Sequence, residues 1–281
     1  VQRNFTNTAT WNTNANLQAD PIFSNAAAAN FQLSGTCPTS PVVDRGKTNG
    51  LAAFDSAPVF GAGRDMGAFE SPFAGAAPNA YFVNDDSTIG DVYTCAVGDD
   101  LNNGLTPGTP KRSLTNLLSV YDPSPGAVVF IDTGIYTNGT VRITNDGTPA
   151  LPVTFQGPSG SGVATFSNFG VADGFVLSNA RNVVLRGSIV IRSFTYGVRI
   201  VSNSASNEIR GLSIRSNNLY GVLLNGTAVY GNRIVTNTID GTAANYQDTG
   251  VYISGGDMNL VLNNVIRGHS LYGVLMDGTA A

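Results

Sequence analysis

The sequence predicts an all-β fold, a solenoid of the parallel β-helix type with a short capping helix before its coils. A glycine-led apolar phrase recurs in the second half of the chain, at Gly174, Gly197, Gly221, Gly250 and Gly273. These glycines lie 23, 24, 29 and 23 residues apart. A period of this length is typical of repeats that bury their apolar faces only against each other.

A second phrase between the glycines supports strands rather than helices. It reads Asn207-x-Ile209, Asn232-x-Ile234 and Asn259-x-Val261, and each copy continues with alternating apolar residues. Alternation with a period of two, bounded by Asn, Gly and Ser turns, is typical of strands, because helices need a 3.6-residue period over a longer run. Each repeat is therefore interpreted as one coil with two or three short strands.

Successive coils of such a solenoid stack about 4.8 Å apart, so equivalent residues form columns. We expect one inward column of Val198, Val222, Val251 and Val274, and a second of Ile200, Leu224, Ile253 and Met276. A third column contains Asn207, Asn232 and Asn259. Stacked amides can hydrogen-bond along a column, so we interpret these asparagines as structural.

The position two residues after each repeat glycine should point outward. It is occupied by Val176, Arg199, Leu223, Tyr252 and Leu275. Because this set holds no carboxylate, it argues against a catalytic groove there. We expect Val176, Leu223, Tyr252 and Leu275 to form an apolar interaction stripe.

Three charged residues occupy another equivalent position, Arg215, Asp240 and Arg267. One interpretation is a grip on the carboxylate of a sugar. The other is a cross-strand ladder of ion pairs, which we favour because opposite charges at this spacing neutralise each other without a ligand.

The longest interval between glycines carries an insertion at residues 240–248. Insertions in solenoids map to loops, often on the binding face. Tyr246 and Asp248, with the neighbouring Tyr252, are therefore the carbohydrate-binding candidates. A plain surface loop is the alternative that we favour, because loops tolerate insertions at little cost.

Metal and redox signals are sparse. Asp99, Asp100 and Asn102 form an oxygen-rich loop that suits Ca²⁺, although the same residues are ordinary turn formers. Cys37 and Cys95 could pair as a disulfide in an exported protein, or could be two unrelated buried thiols. His269 is the only histidine, and we expect a solvent-exposed turn residue rather than a catalyst. No other cofactor is predicted.

Composition excludes two classes of partner. Charged residues make up 12% of the chain and the net charge is −4, so no electrostatic footprint for nucleic acid is present. No apolar run is long enough to predict a membrane span. The chain begins at Val1 without a signal peptide, so we expect a processed protein or a piece of a longer one.

The best helix candidate lies near residues 113–121. Ser113 can cap it, and Leu114, Leu117, Leu118 and Tyr121 share one face. The surrounding pieces are YFVND (81–85), GDDLNNG (98–104), TPGTP (106–110), PG (125–126) and VFIDTGIY (129–136). Together with the helix they resemble the start of bacterial right-handed parallel β-helix repeat proteins, in the pectate-lyase-like superfamily.

The first 72 residues resemble the closing region of such a domain, through ADPIF (19–23), SPVVDRG (40–46) and RDMGAFE (64–70). We therefore predict a closing segment of a preceding unit (1–72), a linker (73–79), a cap (80–136) and coils without a C-terminal cap (137–281). This order, tail before head, suggests a tandem array or a subunit that joins others head to tail.

Two functions follow as hypotheses. The first is a non-catalytic, extracellular or cell-surface structural or adhesive module, with copies of itself or adjacent β-helix units as partners, as in a fibre. The second follows from the resemblance, which implies polysaccharide binding or a lyase that acts on acidic sugars. Enzymes of this superfamily hold Ca²⁺ with clustered acids, and no such cluster is evident at the outward positions. We therefore assign no catalytic residue.

Overall fold

The structure is a computed structural model, and it describes residues 23–25, 30–33, 79–137, 139–168, 173–242 and 247–277. The chain divides into two compact units, Val1–Gly75 and Ala76–Ala281. In the first unit, β1 (Phe23–Asn25) pairs antiparallel with β2 (Asn30–Leu33). The predicted closing role of residues 1–72 stays a prediction.

The second unit is a parallel β-solenoid of three sheets. The first sheet is ordered β3 (Ala80–Val83), β4 (Val128–Ile131), β7 (Val153–Gln156), β10 (Val183–Arg186), β13 (Glu208–Arg210), β16 (Arg233–Val235) and β19 (Leu260–Leu262). The second sheet is ordered β5 (Gly134–Tyr136), β8 (Ala164–Ser167), β11 (Ile189–Arg192), β14 (Ser213–Arg215), β17 (Thr238–Asp240) and β20 (Val265–Arg267). The third sheet is ordered β6 (Val141–Ile143), β9 (Asp173–Ser178), β12 (Tyr196–Val201), β15 (Tyr220–Asn225), β18 (Thr249–Ser254) and β21 (Tyr272–Asp277). Each of the six coils from β4 onward contributes one strand to each sheet, and β3 adds a seventh strand to the first sheet. The predicted solenoid is thus confirmed.

The predicted inward columns form in register. Val198 pairs with Val222, Val222 with Val251, and Val251 with Val274. The neighbouring column of Ile200, Leu224, Ile253 and Met276 follows the same strands. Apart from the last coil, these side chains lie in one continuous buried core, which packs between the three sheets.

The repeat glycines are explained by the close approach of the next coil. A Cβ atom at Gly174, Gly197 or Gly221 would lie 2.6 Å from the carbonyl oxygen of the repeat glycine one coil later. That separation is far inside van der Waals contact, and the obstacle is backbone rather than a flexible side chain. Any side chain here would force adjacent coils apart.

The predicted asparagine column is a hydrogen-bond ladder in which Asn207 and Asn232 are buried and Asn259 is partly exposed. The Asn207 side-chain amide donates to Asn232 Oδ1 at 2.9 Å, and the Asn232 amide donates to Asn259 Oδ1 at 3.0 Å. The same two oxygens accept from the backbone N–H of Asn207 and of Asn232. Each of these side-chain oxygens therefore accepts two hydrogen bonds, one from the side chain and one from the backbone of the asparagine in the preceding coil. Buried polar groups need such partners.

A second ladder runs beside the first and was not predicted. The Asn237 side-chain amide donates to Asn264 Oδ1 at 3.0 Å, and Asn237 Oδ1 accepts from the backbone N–H of Leu212. Both asparagines stand at turns between the first and second sheets. Two corners of successive coils are thus joined by amide hydrogen bonds as well as by strand pairing.

The helix α1 spans Leu114–Val120, inside the range that the sequence predicted. The hydroxyl of Ser113 accepts a hydrogen bond from the backbone N–H of Asn116 at 3.1 Å, as an N-cap does. Leu114 and Leu117 are buried in the core of the coils. The role of α1 as a cap of the stack stays a prediction. In the part of the chain that the structure describes, no helix is long and apolar enough to cross a membrane.

We expect Asn232→Ala to lower the denaturant midpoint of unfolding, because the substitution leaves buried partners in both adjacent coils unpaired. Each buried donor or acceptor left without a partner costs about 1–3 kcal/mol. Asn203→Ala is the matched control, since Asn203 is exposed and donates one long hydrogen bond to Asn179. Urea unfolding followed by circular dichroism measures both variants. Equal midpoints for the two would contradict a stabilising ladder.

Candidate functional site

The charged column that the sequence predicted lies at the ends of strands in the second sheet. Arg215 pairs in register with Asp240, and Asp240 with Arg267. Arg192 extends the column by one coil, which the sequence analysis missed. The next residues, Ser193 and Ser216, adopt left-handed backbone conformations with φ of 64° and 53°. The strands that end at Arg192 and Arg215 are therefore followed by the same kind of turn, and the column marks one corner of the solenoid.

Only one rung of the predicted ion-pair ladder forms. Arg267 lies 2.8 Å from Asp240 Oδ2, while the other oxygen of Asp240 accepts from the hydroxyl and the backbone N–H of Thr242. These hydrogen bonds from Thr242, with that from Arg267, lower the pKa of Asp240 to about 2. Among the described residues, Arg215 has no ion pair with Asp240, so this part of the predicted ladder is wrong. The reason is that both oxygens of the Asp240 carboxylate already accept hydrogen bonds, one from Arg267 and the other from Thr242.

The predicted outward stripe forms in register along the third sheet, but it is not an exposed patch throughout. Val176 pairs with Arg199, which pairs with Leu223, and the column continues through Tyr252 to Leu275. Val176 and Leu223 are buried, whereas Tyr252 and Leu275 are partly exposed. Val176 and Leu223 therefore offer little surface to a partner. A contact between a partner and the exposed part of the stripe, Tyr252 and Leu275, stays a prediction.

Three tyrosines cluster on this face beside the stripe. The Tyr220 ring lies 5.5 Å from the Tyr196 ring and 5.1 Å from the Tyr252 ring, measured between centroids. The Arg199 guanidinium lies 5.7 Å from the centroid of the Tyr196 ring and 3.4 Å from the carboxylate of Asp173. The sequence signal for Tyr196 and Tyr220 was their place directly before the repeat glycine. We call Tyr196, Tyr220 and Tyr252 the tyrosine cluster.

Asp173 is an unusual member of this surface. Its side chain is buried, yet its Oδ1 atom has no hydrogen-bond partner among the described residues. The Nε atom of Arg199 is likewise buried and without a partner in that set. A polar pair next to aromatic rings is a combination that contacts sugars well, because rings stack on the apolar face of a sugar and polar atoms bind its hydroxyls.

The predicted carbohydrate contacts in the insertion are only partly described. Tyr246 lies outside the described residues. Asp248 is half-buried, its Oδ1 accepts from the hydroxyl of Ser270 at 2.8 Å, and its carbonyl accepts from Leu271 and Tyr272. Asp248 thus ties its coil to the next. Its contact with a sugar stays a prediction.

The predicted calcium loop does not present a free set of ligands. The Asp100 carboxylate accepts from the backbone N–H of Arg112 and of Ser113 and from the Ser113 hydroxyl, so it serves the start of α1. Asp99 accepts from the backbone N–H of Leu101. Asn102 donates to the carbonyl of Pro110. Within the described ranges, no group of three His, Cys, Asp or Glu side chains could hold a metal ion.

His269 is not the solvent-exposed turn residue that the sequence suggested. It is half-buried, and its Nδ1 lies 3.4 Å from the side-chain nitrogen of Gln247, which in turn contacts Asn217 in the preceding coil. Burial lowers the pKa of His269 below its ordinary value. The residue therefore continues an internal polar column. Cys37 lies outside the described residues, so its pairing with Cys95 stays a prediction.

A group of acids near α1, which the sequence analysis did not single out, organises the N-terminal loop. Asp132 is fully buried, and its carboxylate accepts from the backbone N–H of Val92, Tyr93 and Thr94 at 2.6–2.7 Å. Asp85 accepts from the backbone N–H of Ile135. Because these carboxylates are engaged by nearby backbone donors, they build the loop rather than face a substrate.

Asp91 belongs to the same group, and burial together with the nearby Asp132 carboxylate raises its pKa from 3.8 to about 6. The folded state therefore holds this proton more tightly than the unfolded state. The contribution of Asp91 to stability falls as pH rises from 3.8 to about 6. We expect Asp91→Asn to gain stability relative to the wild type across that interval.

Urea midpoints measured across this pH range test the expectation. Asp86→Asn, which removes an exposed carboxylate from the same loop, is the control for the loss of one charge. A midpoint difference between Asp91→Asn and the wild type that does not change with pH would contradict the burial argument.

Solved structures with similar folds include three carbohydrate-active enzymes. A rhamnogalacturonan lyase is 15% identical with a TM-score of 0.49, and the match covers 72% of this chain and 63% of that one. The pectate lyase Pel9A is 16% identical with a TM-score of 0.45, over 72% and 57% of the two chains. A GH136 lacto-N-biosidase from Eubacterium ramulus is 14% identical with a TM-score of 0.32, over 64% and 34%. This chain thus spans less than two thirds of each enzyme. No curated protein matches it significantly.

A family profile described as "NosD: Periplasmic copper-binding protein (NosD)" matches residues 133–278. Copper prefers imidazole, thiolate and thioether ligands. The chain has one histidine, two cysteines and three methionines, and among the described residues Met258 and Met276 are exposed and His269 contacts Gln247. The described residues therefore do not fit a copper site.

The matched residues number 146 of 281, which is more than half of the chain. They contain the strands from β5 to β21, that is, the coils themselves. By this match over its repeats, the chain belongs to the NosD family.

Proposed function

We propose that the chain is a non-catalytic structural or adhesive β-helix module of the cell envelope or cell surface, which stacks end to end on a further β-helix unit. The observation that carries this proposal is the exposure of apolar side chains in the coil of β19, β20 and β21, whichever chain supplies the next coil. Val251 is 0% exposed, while its in-register neighbour Val274 is 45% exposed. Ile253 is 2% exposed, while its neighbour Met276 is 60% exposed.

A second β-helix coil is the partner whose chemistry fits this surface. Strands β19, β20 and β21 are the edges of their sheets, and an edge offers unpaired backbone groups to another parallel strand. The amide ladders add selectivity. The next donors in the two series are the backbone N–H groups of Asn259 and Asn264, which a partner coil with asparagine at the same corners would engage. Apolar columns, strand edges and ladders thus favour one kind of partner.

The family match supports the proposed location. NosD is described as a periplasmic protein, which favours a cell-envelope or exported protein. A stack of this kind suits a scaffold, because stability in a solenoid comes from each coil and its two neighbours. A tandem array or a head-to-tail fibre would extend the same contact many times.

We expect the 281-residue chain to self-associate as its concentration rises, and Val274→Lys to suppress the association. The lysine would place an unpaired charge in the centre of the contact. Val97→Lys is the matched control, since Val97 is 49% exposed but lies in the N-terminal loop. Sedimentation velocity measures all three proteins over a concentration series. Monomers at every concentration, or equal association of the two variants, would contradict the proposal.

Polysaccharide binding is the second candidate, and the tyrosine cluster favours it. Three partly exposed rings lie on successive coils, and the ion pair of Asp173 with the partly exposed Arg199 lies beside the Tyr196 ring. A sugar chain that runs along the coils could stack on successive rings. A lyase that acts on acidic sugars remains the catalytic form of this hypothesis, and release of unsaturated uronate would reveal it.

We expect Tyr220→Ala to weaken retention in gels that contain polysaccharide by about threefold to tenfold, the loss of one aromatic contact. Tyr230→Ala is the control, because Tyr230 is exposed and has no ring contact with the cluster. Affinity electrophoresis against galactan, dextran and polygalacturonate measures the effect. Equal retention of the two variants would rule out the cluster as the binding surface.

A further inference from the structure

We propose that a cavity at the corner of the second sheet binds an oxyanion, a carboxylate or sulfate group that belongs to an acidic polysaccharide. The cavity has a volume of about 210 Å³ and is lined by Arg192, Arg215, Ser216, Asp240 and Thr242. The proposal goes beyond the functions above, because it concerns a different sheet from the tyrosine cluster and does not involve the last coil.

The charge of this corner is not balanced by the protein. Arg192 and Arg215 are in register on adjacent strands, so their backbones lie about 4.8 Å apart. Like charges that face each other across strands are destabilising. Neither guanidinium has an ion pair or hydrogen bond with the described residues. Two positive groups thus line one cavity, and the one carboxylate among its described lining residues, Asp240, forms its ion pair with Arg267 instead.

Asp240 does not supply the missing anion, although it is the register neighbour of Arg215. Its Oδ1 atom accepts two hydrogen bonds from Thr242, and its Oδ2 atom accepts one from Arg267 at 2.8 Å. The carboxylate is therefore turned to its own loop and to the following coil. This leaves Arg192 and Arg215 available to a ligand.

The backbone holds the two arginines in place. Each ends a strand and precedes a serine in the left-handed conformation, Ser193 or Ser216. The turns are joined by hydrogen bonds from Ser193 N–H to the carbonyl of Ser216 and from Ser216 N–H to the carbonyl of Asp240, both 3.1 Å. The backbone positions of the two arginines are therefore fixed before a ligand binds.

The chemistry of the ligand follows from the donors and the space. A guanidinium is a planar fork that matches the two oxygens of a carboxylate or sulfate. At ~30 Å³ for each water, the cavity has room for about seven water molecules, more than a bare anion displaces. The hydroxyl of Ser216 adds a neutral group that can bind a sugar hydroxyl. An acidic sugar residue uses all of these features.

A second cavity shows an arginine corner in which both guanidinium groups have partners in the protein. It has a volume of about 450 Å³ and is lined in part by Arg186 and Arg210. Arg186 donates to Gln156 Oε1 at 2.6 Å, and Arg210 lies 3.3 Å from Glu208 Oε1. Both of these arginines have partners, so Arg210 provides a matched control for the loss of one positive charge.

Isothermal titration calorimetry on the 281-residue chain tests the site with polygalacturonate, dextran sulfate, uncharged dextran and inorganic sulfate. We expect at least one of the two acidic polymers to bind and uncharged dextran not to bind. Arg192→Gln and Arg215→Gln should each weaken this binding by about tenfold or more, as the loss of a charged hydrogen bond does. Arg210→Gln should change it less than about twofold, and circular dichroism would verify that each variant is folded.

Three outcomes would overturn the proposal. Absence of binding by either acidic polymer is the first. Equal weakening by Arg210→Gln and Arg215→Gln is the second, because it would indicate diffuse attraction to positive charge. Binding of inorganic sulfate without either polymer is the third, because it would assign the cavity to a free ion. Tyr220→Ala tests the tyrosine cluster separately, so the two sites can fail independently.

Discussion

Each strand residue in the described coils lies next to its counterpart one coil further along, at the spacing of paired strands. This constraint decides which residues a column can hold. Apolar columns such as Val198, Val222 and Val251 satisfy it by packing against themselves. The repeat glycines satisfy it by leaving room for the carbonyl oxygen of the following coil. A register shift of even one residue would break all of these contacts at once.

The same constraint separates polar columns into two kinds, those whose side chains can hydrogen-bond to each other and those whose side chains cannot. An amide is both donor and acceptor, so an asparagine can bind the asparagine above it and the one below. Asn207 and Asn232 can therefore be buried, with Asn259 next in the ladder. A guanidinium only donates, so stacked arginines need an acceptor from elsewhere. Arg186 and Arg210 have one, and Arg192 and Arg215 do not.

The N-terminal loop is built on a different principle, because it has no repeated counterpart. The buried carboxylate of Asp132 accepts hydrogen bonds from the successive backbone N–H groups of residues 92–94. Asp91 is held close by and carries a raised pKa as a result. Perturbed acids often mark active sites. Here their hydrogen bonds are directed to the loop, which accounts for them without a substrate.

The sequence by itself determined the coils, the identity of the inward columns and the asparagine ladder, because a period in the chain translates directly into a stack in space. It also located the column of Arg215, Asp240 and Arg267. The partners within that column were decided only by the tertiary structure, since Asp240 accepts hydrogen bonds from Thr242 and Arg267 rather than from Arg215. Likewise, the burial of Leu223 and His269 depends on neighbours from adjacent coils and strands. A repeat predicts which residues align, whereas the bonds that each one makes depend on side-chain geometry that the period does not contain.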